Sequence, residues 1–234
     1  MRFRAPMQAW GTRSRFEYRD TEREPTLSGV VGIIAAAEGL PRGVDLSEYL
    51  GLTMTVRVDR EGELSREFQT ARDVLTAEGK VSKDAQIIYR DYLADAAFHV
   101  ALEGDSDLLT RILSALHRPR YPIFLGRKAY VPSLPVVYPG DESLFGDDRD
   151  AMDILTGLPV VQEPEELPLR LFEVAPDDDA TVSVRFLVPG ADPRGESRRD
   201  IPLQFDIHHR RYATRFVETI YRDVPVARIA GSVS

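Results

Sequence analysis

Apolar residues recur along the chain with two periods, two and about 3.6, and the switches between them outline the elements. Met1–Pro6 reads as a short strand, and the polar, Arg-rich stretch Met7–Pro25, with breakers at Gly11 and Pro25, as a loop. The run from Val30 to Ala37 is apolar almost all round. It predicts a buried helix with Thr26 or Ser28 as its N-cap and Gly39 as its stop. Thr53–Asp59 alternates and is β-branched, which predicts a strand. Arg60-Glu61-Gly62 is a turn from which Leu64–Thr70 returns as the second arm of a hairpin, and Ala71–Asp84 is polar. Ile87–Tyr92 begins another strand, and Ala96–Glu103 is a further one. Leu108, Leu109, Ile112, Leu113 and Leu116 stripe one side of a helix over Asp105–His117, which Pro119 ends. Tyr130–Val137 reads as the next strand.

Strand, helix, strand, inserted hairpin, strand, helix, strand is the order of an α+β domain of the RRM-like (ferredoxin-like) kind. On this reading residues 1–138 form that domain, 139–179 an acidic excursion or linker, and 180–234 a small C-terminal β unit. The strands of that unit are Thr181–Val188 and Tyr212–Tyr221. No internal repeat interrupts the pattern.

Charge changes the picture once it is divided. The 234 residues carry a net charge of −8, yet the segment Asp141–Asp179 alone holds 13 acids against Arg149 and Arg170. The remainder is therefore net basic. Arg118, Arg120, Arg127 and Lys128 fall within one acid-free stretch, and Arg198, Arg199, Arg210, Arg211, Arg215 and Arg222 follow near the C-terminus. A polyanion responds to local potential, so the negative total does not exclude nucleic acid.

Several chemistries are missing. Without cysteine there is no disulfide, no thiolate catalysis and no Cys-ligated metal. No phosphate-binding loop, dinucleotide fingerprint, nucleophile elbow or His-Glu-x-x-His motif occurs. Of the four histidines, His208 and His209 are adjacent and point apart on a strand, and His99 reads as a satisfied core side chain. Asp177-Asp178-Asp179 lacks the alternate spacing of a calcium loop and reads as a solvated loop. The sequence thus predicts no catalytic residue, metal or cofactor. The N-terminus has no apolar secretory region, and the longest apolar run is far short of the ~20 residues that span a bilayer. A soluble, cytoplasmic protein is expected.

Three stretches suit an anion or RNA. Thr26–Gly32 opens a helix whose unpaired N–H groups and hydroxyls, with Ser28 and Gly29, suit a phosphate; the same glycines also suit tight packing. Arg118-Pro119-Arg120-Tyr121 through Gly126-Arg127-Lys128-Ala129-Tyr130 interleaves cations with aromatics, as single-stranded RNA requires, or else is a connector whose aromatics pack inward. Gln8-Ala9-Trp10-Gly11 is followed by Arg13 and Arg15, and its Trp reads either as core or as a stacking surface. None of these matches the RNP1 pattern of an ordinary RNA-recognition motif.

At these residues the sequence resembles the CasD family, subunits of the type I-E CRISPR Cascade complex. The resemblance is carried by Arg4-Ala5-Pro6-Met7-Gln8-Ala9-Trp10-Gly11, by Pro25-Thr26-Leu27-Ser28-Gly29-Val30-Val31-Gly32, by Tyr89-Arg90-Asp91-Tyr92-Leu93-Ala94-Asp95-Ala96-Ala97-Phe98, and by Pro119-Arg120-Tyr121-Pro122 through Leu125-Gly126-Arg127-Lys128. Arg199-Asp200-Ile201-Pro202 is a fainter echo, and Leu27 stands where members commonly carry a basic residue. The resemblance implies a non-catalytic subunit of an antiviral surveillance ribonucleoprotein that caps the 5′ handle of crRNA. It also implies a hairpin thumb over about residues 64–92 and contacts with the backbone and large Cascade subunits, with target DNA near the PAM-proximal end a further candidate partner. The RNA-binding residues expected are Gln8, Trp10, Thr26, Ser28, Gly29, Arg90, Arg118, Arg120, Tyr121, Gly126, Arg127, Lys128, Arg210 and Arg211. The alternative is a metal-independent endoribonuclease acting on crRNA precursors, with Tyr121, Lys128, His208 or His209 as its acid and base.

Overall fold

The computed structural model describes residues 1–12, 17–75, 78–81, 84–137, 145–146, 149–161, 174–205 and 210–229. The elements run β1 (Arg2–Arg4), β2 (Met7–Gln8), β3 (Tyr18–Arg19), α1 (Leu27–Glu38), a 3-10 turn (Ser47–Gly51), β4 (Thr53–Arg60), β5 (Glu63–Ala71), β6 (Gln86–Ala94), β7 (Ala97–Glu103) and α2 (Ser106–His117). They continue with α3 (Ala151–Gly157), β8 (Val160–Val161), β9 (Val174–Pro189), β10 (Glu196–Phe205) and β11 (Arg210–Ile229). The molecule is an α+β fold. One sheet is ordered β1-β7-β4-β9-β11-β10, with β8 parallel to β11; a second is ordered β2-β6-β3, with β5 on β6.

The helices form where caps and spacing dictate. Thr26 Oγ1 accepts the Gly29 N–H at α1, and Asp105 Oδ1 accepts the Leu108 N–H at α2. Leu108, Ile112 and Leu116 repeat every fourth residue and are buried. They meet α1 and the apolar sheet face built from Phe3, Val58, Phe98, Val56 and Val100, which lie side by side across β1, β7 and β4. The opposite face of these strands carries Arg2, His99 and Arg57 in one row. Arg57 is fully buried. It holds Asp59 with two hydrogen bonds, 2.6 and 3.0 Å, and donates to the carbonyls of Leu155 and Leu158, fastening the end of α3 to the sheet. His99 is buried and its Nδ1 lies 2.8 Å from Asp59, which partners that side of the ring.

Several details differ from the sequence pattern, among them the short strands β2 and β3 within the stretch Met7–Pro25 expected to be a loop. Leu64–Thr70 does not return along Thr53–Asp59, because both edges of β4 are taken, by β7 and β9; β5 pairs with β6 from Glu63↔Ala94 to Ala71↔Gln86. Tyr130–Val137 is not a strand. Pro132 and Pro135 remove two ladder donors; among the described residues two backbone bonds, Arg2 N to Val136 O and Ser133 N to Arg4 O, each 2.7 Å, lay the segment along β1, helped by the Arg2 side chain on Leu134 O at 2.6 Å. Within the acidic region α3 forms, capped by Asp150. The backbone of Asp177–Asp179 belongs to β9 rather than to a loop. The C-terminal strands share the first sheet, since β9 pairs with β4 at Val56↔Leu187 and Arg57↔Phe186.

Candidate nucleic-acid interface

A groove of about 540 Å³ opens where the two sheets, α1 and the 124–127 segment converge. Its floor is one stripe of α1, Gly29, Gly32, Ile33 and Ala36, and the small side chains there keep the space open. Trp10, Phe124, Phe205 and Tyr212 supply aromatic edges. Arg19, Arg42, Arg90, Arg127 and Arg210 supply cations, against the single acid Asp20 among the described residues. Guanidinium groups bind phosphates through paired N–H donors, and aromatic faces stack bases for ~1–3 kcal/mol each. The lining therefore suits a single-stranded polyanion that carries planar bases.

The local structure explains how each group is placed. Trp10 is 2% exposed and its ring lies 5.3 Å from that of Phe3. Gln8, fully buried, accepts the Trp10 Nε1–H at 3.0 Å and donates to Ala96 O at 2.8 Å. Gln8 is thus out of reach of a ligand in the groove; it orients the Trp that borders it. A Cβ on Gly29 would sit 2.8 Å from Trp10 Cε3, so glycine here lets helix and indole touch. Gly126 has φ +92°, and a Cβ there would meet Ala9 O at 2.0 Å. This crossing, with Ala9 N bonded to Leu125 O at 3.0 Å, aims Arg127 at the groove. Arg127 donates to the Tyr130 hydroxyl (2.6 Å) and the Asp91 carbonyl (2.8 Å) and lies 3.6 Å from Glu67, so it is a braced cation. Burial pushes the Tyr130 hydroxyl upward in pKa, against the pull of Arg127.

The helix opening behaves differently from the sequence expectation. Asp200, 1% exposed and held bidentately by Arg215 at 2.8 and 2.9 Å, already accepts the Leu27 N–H at 2.9 Å. Thr26 takes the Gly29 N–H, and Ser28 Oγ donates to Thr26 Oγ1 at 3.4 Å. Two of the first-turn donors are thereby satisfied from within. Thr26 and Ser28 still line the groove, as capping groups more than as phosphate ligands.

Of the fourteen expected residues, the groove gathers Trp10, Thr26, Ser28, Gly29, Arg90, Gly126, Arg127 and Arg210. Arg118, Arg120, Tyr121 and Lys128 are exposed but lie outside it. Arg120 N and Tyr121 N bond to Ala37 O and Ala36 O, tying that connector to the far end of α1. Arg211 alternates with Arg210 and Tyr212 along β11 and takes the other face. Arg13, Arg15, His208 and His209 lie outside the described residues. Tyr121 and Lys128, two of the groups an endoribonuclease would use, do not line the groove. Arg19 and Arg42 were missed by sequence reasoning. Arg19 sits in a loop-like stretch with too few alternating residues to show a strand, and Arg42 follows α1 in a turn. No group of three His, Asp or Glu able to hold a metal occurs among the described residues.

Comparison with known proteins spans most of the chain. The family described as CRISPR-associated protein (Cas_Cas5) matches residues 1–218. Cascade subunit CasD of the Escherichia coli (strain K12) CRISPR system is 32% identical over 158 residues, 59% of this chain and 67% of that protein. A chain of a CRISPR RNA-guided surveillance complex superposes with a TM-score of 0.79 at 35% identity, covering 96% of this chain and 90% of that one. The crystal structure of a Cas protein superposes with a TM-score of 0.66 at 35% identity, covering 96% and 93%.

Proposed function

The chain belongs to the CRISPR-associated protein (Cas_Cas5) family, and from that premise we propose that it is a non-catalytic Cascade subunit that binds and caps the 5′ handle of crRNA. The observation that carries this reading is the groove in which five arginines and four aromatic rings meet over a helix face of small residues. Phosphate contacts by Arg19, Arg90 and Arg210 supply affinity and position, while stacking on Phe124, Phe205 and Tyr212, which are only partly buried, holds unpaired bases. On this reading β1, β7 and β4 belong to an RRM-like core whose fourth strand is reduced to the proline-rich segment 131–137; their order in the sheet supports it. The β5–β6 hairpin is its thumb, directed at the neighbouring backbone subunit, and the large subunit docks nearby with target DNA at the PAM-proximal end. No helix among the described residues is long and apolar enough to cross a membrane, and the reading places the protein in the cytoplasm.

Gel-shift titration of the full chain with a 5′-handle RNA, in EDTA, tests the proposal. Arg90→Gln with Arg210→Gln is expected to weaken binding about tenfold or more while the RNA stays intact. Unchanged affinity would remove the groove from the account. Specific cleavage of repeat RNA in EDTA would replace it with the endoribonuclease.

A further inference from the structure

A second set of arginines lies away from the groove, at the base of the hairpin. Ala97 on β7 is flanked in register by Arg4 on β1 and by Arg60 on β4. Directly opposed residues share a face, so the two arginines stand on either side of a small residue, on the sheet face turned away from Phe3 and Phe98. A register shift between Val58 and Arg60 puts Arg60 there. Strict alternation would have sent it to the core side, and a bulge is a common means of re-aiming a side chain.

Both guanidinium groups are half-buried, and neither makes a hydrogen bond or ion pair among the described residues. Arg60 Nε is fully buried without a partner. Arg4 feels burial first, then the repulsion of Arg60 and Arg2, and only Asp95 opposes them; its pKa is pushed down. A buried guanidinium N–H such as that of Arg60 Nε is normally partnered, because desolvation is costly without compensation. The fold holds two like charges together here with no hydrogen-bonded or ion-pair partner among the described residues, a standing cost that an external anion would relieve.

We propose that Arg4 and Arg60 form a second anion site, separate from the groove, that takes a phosphate group of a nucleic-acid backbone. A carboxylate is satisfied by one guanidinium fork, whereas the two non-bridging oxygens of a phosphodiester match two forks, one each. The choice of nucleic acid rests on the RNA-binding reading above.

The test uses the full chain, its Arg60→Gln variant and, where it folds, Arg4→Gln. Melting is followed in chloride and in inorganic phosphate at equal ionic strength. Binding of a single-stranded RNA and of a DNA duplex is followed over a salt series. Phosphate is expected to raise the wild-type melting temperature more than that of R60Q, which in chloride melts no lower than wild type because a repulsion has been removed. R60Q is expected to bind one of the two nucleic acids about tenfold more weakly, with a salt slope shallower by about one, and the affected probe identifies the strand. An equal phosphate response in both proteins would overturn the site. A lower R60Q melting temperature in chloride would make Arg60 structural instead, and unchanged affinity for both nucleic acids would overturn the choice of ligand. R210Q is the control: if it loses RNA while R60Q does not change, the groove stands and this site falls; the reverse pattern removes the groove alone.

Discussion

Gly32 separates groove function from stability in a single position. It lies on the groove-facing stripe of α1, and a Cβ built there meets only Phe205 Cε2, at 3.9 Å, an ordinary contact. A glycine inside a helix costs roughly 0.5–1 kcal/mol relative to alanine through the entropy of the unfolded chain. Gly32→Met should therefore stabilise the fold by about that amount and raise the melting temperature by ~1–4 °C for a chain of this size. The same side chain would occupy the groove floor between Trp10 and Phe205. Losing one stacked base is worth ~1–3 kcal/mol, which is about a 5- to 150-fold loss of affinity for single-stranded RNA. Thermal melting and fluorescence anisotropy on one preparation read both effects. A lower melting temperature, or unchanged RNA affinity with a higher one, would refute the reasoning.

Three further outcomes follow from the packing. Gly29→Ala should destabilise, the opposite of Gly32, because its Cβ would press to 2.8 Å from Trp10 Cε3; a denaturant midpoint above wild type would contradict this. Arg57→Met leaves Asp59 buried without its guanidinium and frees the end of α3, so a loss of about 3–5 kcal/mol is expected in urea titrations. Burial lowers the pKa of His99, outweighing the attraction of Asp59. A histidine that resists protonation when folded contributes stability above its ordinary value of 6.5, and that stability is lost as pH falls below it. Urea midpoints should drop between pH 7.5 and 5 in the wild type, and His99→Gln should flatten that part of the profile.

The local elements were legible because their causes are local. The Thr26 cap, one of two candidates beside Ser28, the four-residue repeat of α2 and the alternation of Thr53–Asp59 each act within a few residues. What failed was pairing. Nothing near Arg60-Glu61-Gly62 reveals that a distant β9 has taken the free edge of β4, which sends β5 to a different sheet. Pro132 and Pro135 are local signals against a strand over Tyr130–Val137, since neither can donate to a ladder. At the groove, the motifs named the residues that build it more reliably than those that face it. Gln8 and Gly126 turned out to support Trp10 and Arg127, while Arg19 and Arg42 arrive from segments with no motif of their own. Asp200, read only as an echo of the family pattern, caps α1 from across the sequence.

The central claim is that the 5′ end of crRNA lies in this groove. Ultraviolet crosslinking of the assembly purified from its host, followed by mass spectrometry and sequencing of the attached RNA, tests it most directly. The account predicts crosslinks from 5′-handle nucleotides to Phe124, Phe205 or Tyr212. Handle nucleotides crosslinked only to other subunits, with these three aromatics unmodified, would contradict it.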